Sequence, residues 1–491
     1  MAKKGLFWLS IGIYALLRFL FPPLELTGDS YGYACEIITG DLWNAHHLLH
    51  KYIVNDIWLI LEPLKLFEDP LTFYRTLHLA MALSSLLVLM RILELRHWSY
   101  TRIYLALLFI TSGFAFIKYS VENEVYFYPI LISLLGSLQF EKGKPIRAAI
   151  LLGFATLFHQ IHIFWLLGLL FPKEWRKYTH YFPLAIGLFV PILTYTALGL
   201  ATQTPLNSLL FHDVQEGLVQ TIPNATNFAL YFINMIRALM QVHGDIALFW
   251  NLWNPYYFGI ALLIFVFVLI GLVIYLRERR FTYIQNDWYR PYVIAFFLHS
   301  LFAWYSVGNI EFMIVLPFLF ILTLRNGSLL KHSLLFSIGL LFWNSSQWAI
   351  PMSKTRPNRI HDIIRISNRI VNADLSGEAQ RTAATIIYTT DAARIQNAFQ
   401  YQQLCDSMGC DTHTDSLIKS PRLLFKEYNV DSIKPGDYVI NYLHGRLNRA
   451  KITYTEITPR SNKELEFNRL YRDTGISGVM ELYRISQKNP K

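Results

Sequence analysis

Long runs of apolar residues recur along the first 350 residues of the chain. They cover approximately 6–22, 72–92, 103–117, 125–140, 147–171, 181–200, 256–276, 291–305, 309–324 and 330–349. A helix needs about 20 mostly apolar residues to cross about 30 Å of hydrocarbon, so the shorter runs need neighbouring helices. The pattern predicts a mainly α protein, a polytopic transmembrane helical bundle of about 10–12 spans.

One apolar run, 147–171, has polar residues at its middle, in the segment Phe158-His159-Gln160-Ile161-His162. Polar backbone at that depth must face protein or water rather than lipid. The sequence therefore predicts two half-helices that meet at a polar turn and enter and leave on the same side. Ionisable residues at this depth are commonly functional, which makes His159 and His162 candidates for substrate binding, with hydrogen-bonded packing as the alternative.

The composition changes after Pro351, where the apolar runs stop and charged residues become frequent. Short β-type and helical patterns follow, and they predict a soluble α/β domain over 351–491 after a transmembrane domain over 1–350. The predicted elements are a strand at Ala383–Tyr388, a helix at Asp391–Ser407, and strands at Tyr438–Tyr442, Ile452–Ile457 and Val479–Ile485.

The composition supports the membrane assignment, because 53% of the residues are hydrophobic and only 16% are charged, which is too apolar for one soluble core. Lys3 and Lys4 precede the first run, and no small-residue cleavage site follows it. The first run is therefore interpreted as a retained anchor rather than a removed signal peptide.

Basic residues in the loops set the expected orientation, because cytoplasmic loops are rich in Lys and Arg. With a cytoplasmic N-terminus, one face collects Lys3, Lys4, Arg91, Arg96, Arg102, Lys142, Lys144, Arg147, Lys173, Arg176, Lys177, Arg277, Arg279, Arg280, Arg290, Arg325 and Lys331. The outer face holds only Lys51, Lys65, Lys118 and Arg237. The net charge of +10 thus reflects membrane anchoring and anionic lipids, and no motif indicates a nucleic-acid partner.

Two outer segments are long enough to build a site, the first outer loop at 23–71 and a second segment at 201–255. In the first loop, apolar residues from Leu48 to Leu64 follow helical spacing, while His46, His47 and Lys51 fall largely on another face. This pattern is typical of a helix that lies in the membrane interface. The second segment, broken by prolines, is expected to roof a cavity.

Asp29 lies in Thr27-Gly28-Asp29-Ser30-Tyr31, just after the first span. A carboxylate at the edge of the bilayer can take a proton from an acceptor while lipid delivers the other substrate. The alternative is that Asp29 only caps the helix that follows it. Position in the loop favours a catalytic role.

Several short motifs carry a resemblance to a known family. They are Asp29 followed by Asn44-Ala45-His46-His47-Leu48-Leu49, then Glu122-Asn123-Glu124-Val125-Tyr126, the half-helix pair at His159, and Asn309-Ile310-Glu311-Phe312-Met313. Over residues 1–350 the chain resembles bacterial GT-C glycosyltransferases, the group that includes protein O-mannosyltransferases and lipid A aminoarabinose transferase. Relatives commonly carry an Arg-Tyr pair near Glu311, where this chain has Phe312 and Met313, so the role of Glu311 stays open.

The resemblance implies a GT-C-like fold in the bacterial inner membrane, with the C-terminal domain in the periplasm. It also implies a catalytic acid in the first loop and a donor sugar on polyprenyl phosphate. The acceptor hydroxyl would belong to a glycan, a lipid or a protein. Asp29 is then the base of an inverting transfer on the outer face.

The remaining candidates bind substrate. Glu122 and Glu124 are expected to position acceptor or sugar hydroxyls, or simply to end a span in water. The leaving phosphate needs positive charge or fixed donors, for which the candidates are His46, His47, Lys51, Lys118 and Arg237. The alternative for His46, His47 and Arg237 is contact with lipid headgroups alone. A divalent cation is possible, but no metal-ligand spacing is specific.

Two other functions remain open from the sequence. A ligase or polymerase of surface polysaccharide would share the donor chemistry and transfer a longer glycan. A transporter or flippase would line a pathway with the buried histidines and acids, and such proteins commonly show a repeated half. No repeat is detected in this chain.

Overall fold

The computed structural model describes most of the N-terminal part of the chain and the main elements of the C-terminal part. The described residues are 2–23, 26–44, 47–67, 69–171, 181–203, 209, 225–241, 255–279, 288–306, 310–350, 353, 359–374, 385–389, 392–408, 423–427, 433–444, 465–475 and 478–487.

Helices account for nearly all of the described N-terminal part. They are α1 (Ala2–Leu20), α2 (Gly28–Thr39), α3 (Leu48–Leu61), α4 (Pro70–Leu95), α5 (Tyr100–Ser112), α6 (Phe114–Tyr119), α7 (Phe127–Glu141), α8 (Pro145–Phe158), α9 (Ile163–Leu170), α10 (Phe182–Thr202), α11 (Ala225–Leu239), α12 (Pro255–Arg279), α13 (Arg290–Tyr305), α14 (Val315–Thr323) and α15 (Leu334–Asn344). A π-helical turn over Ser345–Ala349 extends α15, and a 3₁₀ turn over Ile310–Ile314 precedes α14.

Each apolar run predicted from the sequence coincides with one of these helices or with a pair of them, so the mainly helical fold is confirmed. Among the described helices, three are long and apolar enough to cross a bilayer alone, at Pro70–Leu95, Phe182–Thr202 and Gly259–Glu278. The shorter helices depend on neighbours to complete a crossing. The number of spans therefore stays a prediction.

The predicted break in run 147–171 is present. Helix α8 ends at Phe158, His159 adopts an extended backbone with φ −154° and ψ 120°, and a 3₁₀ turn over Gln160–His162 leads into α9. Helix α9 lies against α13 with Gly168 facing Ala295, where a Cβ on the glycine would overlap the Ala295 backbone. That close approach fixes the second half-helix against the bundle. That the two half-helices, α8 and α9, enter and leave on the same side of the membrane remains a prediction.

The bundle brings the segments predicted to be cytoplasmic together at one end. Arg96 forms an ion pair of 2.7 Å with Glu141 and donates to the carbonyl oxygens of Leu322 and Leu324. The guanidinium also stacks over the ring of Tyr292 at 4.8 Å. Buried charge is stable here because each polar group has a partner. The opposite end, predicted to be outer, carries the candidate site described below.

The amphipathic helix predicted in the first loop is α3, but its polar side faces the protein. His50 and Lys51 are 0% and 1% exposed, whereas Leu59 and Ile60 are 61% and 70% exposed. Apolar side chains that point away from the protein fit a helix lying on hydrocarbon. Exposed apolar residues of this kind are costly in water but not against lipid.

The C-terminal part combines helices α16 (Arg359–Asp374) and α17 (Ala392–Met408) with one mixed sheet. Its strands are β1 (Thr385–Thr389), β2 (Leu423–Glu427), β3 (Tyr438–His444), β4 (Leu465–Gly475) and β5 (Gly478–Gln487), in the order β2-β1-β3-β5-β4. Strand β1 pairs in parallel with β2 and β3, and β5 pairs antiparallel with β3 and β4. Helix α17 forms the crossover that two parallel strands require.

Four of the elements predicted from the sequence in this part are present, as β1, α17, β3 and β5. The predicted strand Ile452–Ile457 lies outside the described residues. Helix α16 and strands β2 and β4 were not predicted. Strands β2 and β4 carry charged residues and lack clear apolar alternation. In α16, by contrast, Ile360, Ile363 and Ile364 follow helical spacing, so its sequence held a usable signal.

Candidate functional site

Helix α2 begins at the end of the bundle that is predicted to be outer, and it carries Asp29 in its first turn. Its N-cap is Thr27, whose side-chain oxygen accepts a hydrogen bond from the Ser30 backbone N–H at 3.2 Å. Thr27 therefore makes the capping interaction that the sequence offered as an alternative role for Asp29. The capping alternative for Asp29 is wrong.

The segment Glu122-Asn123-Glu124, between α6 and α7, holds the start of α2. Thr27 donates its backbone N–H to Glu122 Oε2 at 3.1 Å and its hydroxyl to Glu124 Oε1 at 2.8 Å. Asn123 donates its side-chain amide to the Ser30 carbonyl at 2.9 Å and its backbone N–H to Ser30 Oγ at 3.0 Å. Because both glutamates are 2% exposed, the predicted alternative of a span ending in water does not describe them.

Asp29 itself is exposed, at the edge of this buried network. Its charge still acts on Glu124 and on Tyr33 of α2. A carboxylate in the first turn of a helix is favoured in its charged form by the helix dipole. Asp29 thus lies where solvent or a substrate can reach it, beside buried acids.

A third carboxylate, that of Glu311, comes from a segment much later in the chain. Glu311, in the 3₁₀ turn before α14, accepts a hydrogen bond from the Tyr126 hydroxyl at 2.7 Å. Its negative charge acts on Glu124, as that of Asp29 does. Three separate segments therefore bring Asp29, Glu124 and Glu311 together at the end of the bundle that is predicted to be outer.

Crowding of these acids changes the proton affinity of Glu124, which lies in the loop before α7. Burial raises the pKa of Glu124 well above its usual value, and the charges of Glu311 and Asp29 raise it further. The hydrogen bond from Thr27 acts in the opposite direction. Burial, followed by the charges of Glu124 and Asp29, likewise raises the pKa of Tyr33.

The raised pKa of Glu124 predicts a pH-dependent stability. The folded protein favours protonated Glu124, so this stabilisation is complete below the ordinary glutamate pKa and is lost as pH rises through the raised pKa. Glu124→Gln stays neutral and keeps an oxygen for the Thr27 hydroxyl. We expect its thermal midpoint to equal that of the wild type below the ordinary glutamate pKa and to exceed it increasingly as pH rises from there to the raised pKa.

The measurement is thermal unfolding in detergent across a pH series, with Glu466→Gln, an exposed glutamate of β4, as the control. The control should give a difference from wild type that does not change with pH. A Glu124→Gln difference that is equally flat would contradict the assignment of Glu124 as a buried acid that favours its proton.

Two of the candidate cations, Lys118 and Arg237, lie near Tyr119. Lys118 Nζ stands 4.6 Å from the ring centroid of Tyr119 and 3.4 Å from its hydroxyl. Arg237, on α11, donates to Asn234 Oδ1 at 2.7 Å and is close enough to act electrostatically on Tyr119. The acids Glu311 and Glu124 act on the same tyrosine. Tyr119 thus joins a basic pair to the acidic cluster.

Lys51, the third cation, is placed differently. It is buried, with its ammonium 2.7 Å from Glu36 Oε2 and 5.7 Å from the ring centroid of Tyr33. Glu36 already compensates its charge. Lys51 therefore stabilises the contact between α2 and α3, and is less suited than Lys118 to neutralise a phosphate.

The histidine candidates lie beneath the first loop. His47, at the start of α3, has its ring centroid 4.7 Å from that of His159, which lies 5.4 Å from Tyr126. His162 is deeper, with Nδ1 2.8 Å from Ser133 Oγ and its ring stacked on Trp165. His47 and His159 therefore border the acidic cluster, whereas His162 is packed within the bundle. His46 lies outside the described residues.

No group of three or more His, Cys, Asp or Glu side chains within the described ranges is arranged to hold a metal ion. The sequence reasoning also left out three tyrosines that connect the site, Tyr33, Tyr119 and Tyr126. Tyr126 follows Glu124 by two positions and Tyr119 follows Lys118 directly, so proximity to candidate residues was a usable signal. Nothing in the sequence indicated that the ring centroids of Tyr119 and Tyr126 would lie 5.7 Å apart.

Comparison with known proteins identifies the architecture. No protein-family model matches the chain, and no curated protein matches its sequence. ArnT from Cupriavidus metallidurans bound to undecaprenyl phosphate has a similar structure, with 11% identity over 98% of each chain and a TM-score of 0.51. The apo state of ArnT aligns at 11% identity over 98% of each chain with a TM-score of 0.46. The chain therefore shares the fold of ArnT, a polytopic membrane architecture like the one that the resemblance implied.

Proposed function

We propose that this protein is a GT-C-type glycosyltransferase that moves a sugar from a polyprenyl phosphate to an acceptor hydroxyl. The observation that carries the proposal is that Asp29, Glu124 and Glu311 come together from three distant segments. Two of these acids, Glu311 and Glu124, act on Tyr119, which Lys118 contacts and on which Arg237 also acts. Such a transfer needs an acid–base group at the acceptor and positive charge at the leaving phosphate. The fold shared with ArnT bound to undecaprenyl phosphate supports a lipid-linked donor.

Asp29 is the base in this proposal. The acceptor O–H gives its proton to the Asp29 carboxylate while its oxygen attacks the anomeric carbon opposite the phosphate. A new C–O bond forms, the bond to the phosphate oxygen breaks, and the electron pair leaves with the polyprenyl phosphate. Attack from the opposite face inverts the anomeric configuration.

The roles of the other groups in the transfer follow from their charge and their surroundings. Lys118 and Arg237 stabilise the negative charge that develops on the leaving phosphate, in a partly dry site where such stabilisation is large. Glu124 has a raised pKa, so it is suited to donate a hydrogen bond to a sugar or acceptor oxygen. Glu311, held by Tyr126, orients the same substrate from the far side.

Lipid analysis of the purified protein tests the donor class directly. We expect mass spectrometry of lipids extracted from the wild-type protein to find a polyprenyl phosphate carrying a sugar, and the purified protein to transfer that sugar to acceptors from membranes. Asp29→Asn should retain the lipid without consuming it. Absence of both a polyprenyl-linked lipid and transfer would contradict the proposal.

The orientation gives a further prediction, because transfer on the outer face places the C-terminal domain in the periplasm. We expect a cysteine introduced as Lys491→Cys to react with an impermeant thiol reagent in intact cells. Lys3→Cys, at the opposite terminus, is the matched control and should react only after the membrane is opened. The reverse pattern of labelling would contradict this topology and place the C-terminal domain in the cytoplasm.

A further inference from the structure

Helix α17 of the C-terminal part contacts the start of α2 through hydrogen bonds to its backbone. The Arg394 guanidinium donates from Nε and Nη2 to the Leu26 carbonyl at 2.9 and 2.6 Å. Asn397 Nδ2 donates to the Gly28 carbonyl at 3.1 Å. These bonds hold the residues on either side of the Thr27 N-cap, directly before Asp29.

The same helix also holds the far end of the first loop. The Tyr401 hydroxyl donates to Asp69 Oδ1 at 2.7 Å and accepts the Leu71 backbone N–H at 3.3 Å, where α4 begins. Arg394 and Tyr401 lie two helical turns apart on α17, so one rigid element spans both ends of the loop.

The two helices approach closely enough to restrict movement. A Cβ added at Gly28 would lie 3.2 Å from Arg394 Cα, and one added at Gly32 would lie 3.1 Å from Asn397 Nδ2. Apolar residues of α2 and α17 belong to one buried cluster, which includes Tyr31, Ala34, Ile37, Ile395, Ala398 and Phe399. Helix α2 therefore completes the core of the C-terminal part.

Asp29 is thus flanked by residues fixed from two sides. Thr27 and Ser30 are bound by the Glu122–Glu124 segment of the bundle, whereas Leu26 and Gly28 are bound by α17. Removal of either set would leave the first turn of α2 held on one side only. A displacement of about 1 Å at a reacting group can cost about 10²-fold in rate.

We infer that α17 holds the first loop in place, and that Arg394, Asn397 and Tyr401 are positioning residues for the Asp29 carboxylate. The inference rests on the proposed function for its catalytic meaning. The C-terminal part is then an integral component of the site, rather than a lid or a partner-docking module.

Substitution of Arg394 provides the first test. We expect Arg394→Met to lower kcat by roughly 10–10²-fold, with the KM for the lipid-linked donor unchanged, because Arg394 binds the Leu26 carbonyl rather than the residues proposed to bind the phosphate. Arg394→Lys should recover part of kcat, since one N–H can still reach the Leu26 carbonyl. Gln400→Ala, exposed on the same helix, is the matched control and should leave both constants unchanged.

Hydrogen exchange provides a readout that does not depend on activity. In Arg394→Met, and in Asn397→Ala if the first variant folds poorly, we expect faster amide exchange over residues 26–39 and unchanged exchange over α7. Exchange as slow as in the wild type, or unchanged kcat with faster exchange, would overturn the inference. If the wild-type protein transfers no sugar, the proposed function fails, and the catalytic part of this inference fails with it; the exchange data still decide whether α17 holds the loop.

A reversible cross-link separates positioning from general stability. The Cβ built at Gly28 lies 3.3 Å from Arg394 Cβ, close to the separation of about 3.5–4.5 Å found in disulfides. We expect the double variant Gly28→Cys/Arg394→Cys to show low kcat when reduced and to recover when oxidised. The single-cysteine variants should not respond to oxidation. A cross-linked protein that stays as slow as its reduced form would argue against positioning by α17.

Discussion

Replacement of Asp29 with asparagine is expected to abolish measurable sugar transfer by the purified protein. Removal of a general base costs roughly 10²–10⁴-fold in rate, and asparagine cannot accept the proton of the acceptor hydroxyl. The helix should still form, because Thr27 makes the N-cap hydrogen bond and Glu122 holds Thr27. We therefore expect expression, membrane insertion and thermal stability close to those of the wild type.

The matched control is Asp56→Asn, which removes an exposed carboxylate of the first loop from helix α3. Turnover of this variant should equal that of the wild type. If Asp29→Asn retained turnover, that result would contradict the assignment of Asp29 as the base. If Glu124→Gln were inactive in the same assay, Glu124 would then be the base, and its raised pKa would appear as the ascending limb of the rate against pH.

The helical part of the fold was largely predictable, because burial in lipid requires continuous apolar runs and leaves little ambiguity in their interpretation. The break at His159 was also predictable, since polar residues in the middle of a run cannot face hydrocarbon. Which face of α3 would be buried was not predictable. Periodicity identifies two faces of a helix, but which face contacts protein depends on what surrounds it, and here Leu59 and Ile60 face outward while Lys51 is paired with Glu36.

The C-terminal part was harder to predict for a different reason. Strands β1 and β3 contain several consecutive apolar residues, whereas β4 alternates poorly and carries Glu466, Arg469 and Asp473. Its pairing with β5 through ten of its eleven residues supplies the stability that its composition does not. Strand propensity depends strongly on such context.

The candidate site was predictable as a set of residue types but not as an arrangement. Asp29, Glu124 and Glu311 each follow an apolar run or precede one, so their place near the outer end follows from topology. Their contact through Thr27 and Tyr126 joins segments about 100 and 185 residues apart. The role of Arg394 could not be inferred at all, because its partner is a backbone carbonyl and any residue could supply one.

Replacement of the basic pair beside Tyr119 is expected to have the second-largest effect. Removal of one donor that stabilises developing negative charge costs roughly 10²–10³-fold, so Lys118→Met and Arg237→Met should each lower kcat/KM for the lipid-linked donor by about that factor. Lys118→Arg keeps the charge and should retain most of the activity. Inhibition by free polyprenyl phosphate should weaken in parallel, because the same ammonium and guanidinium groups would bind the released product.

Lys65→Met is the control for this prediction, since it removes an exposed lysine of the first loop, away from Tyr119. It should leave kcat/KM unchanged. Lys51→Met is expected to act through stability, because it leaves the Glu36 carboxylate without its ion-pair partner. Loss of donor affinity in Lys51→Met but not in Lys118→Met or Arg237→Met would indicate that the phosphate binds at the interface of α2 and α3. The leaving group would then lie beside Tyr33.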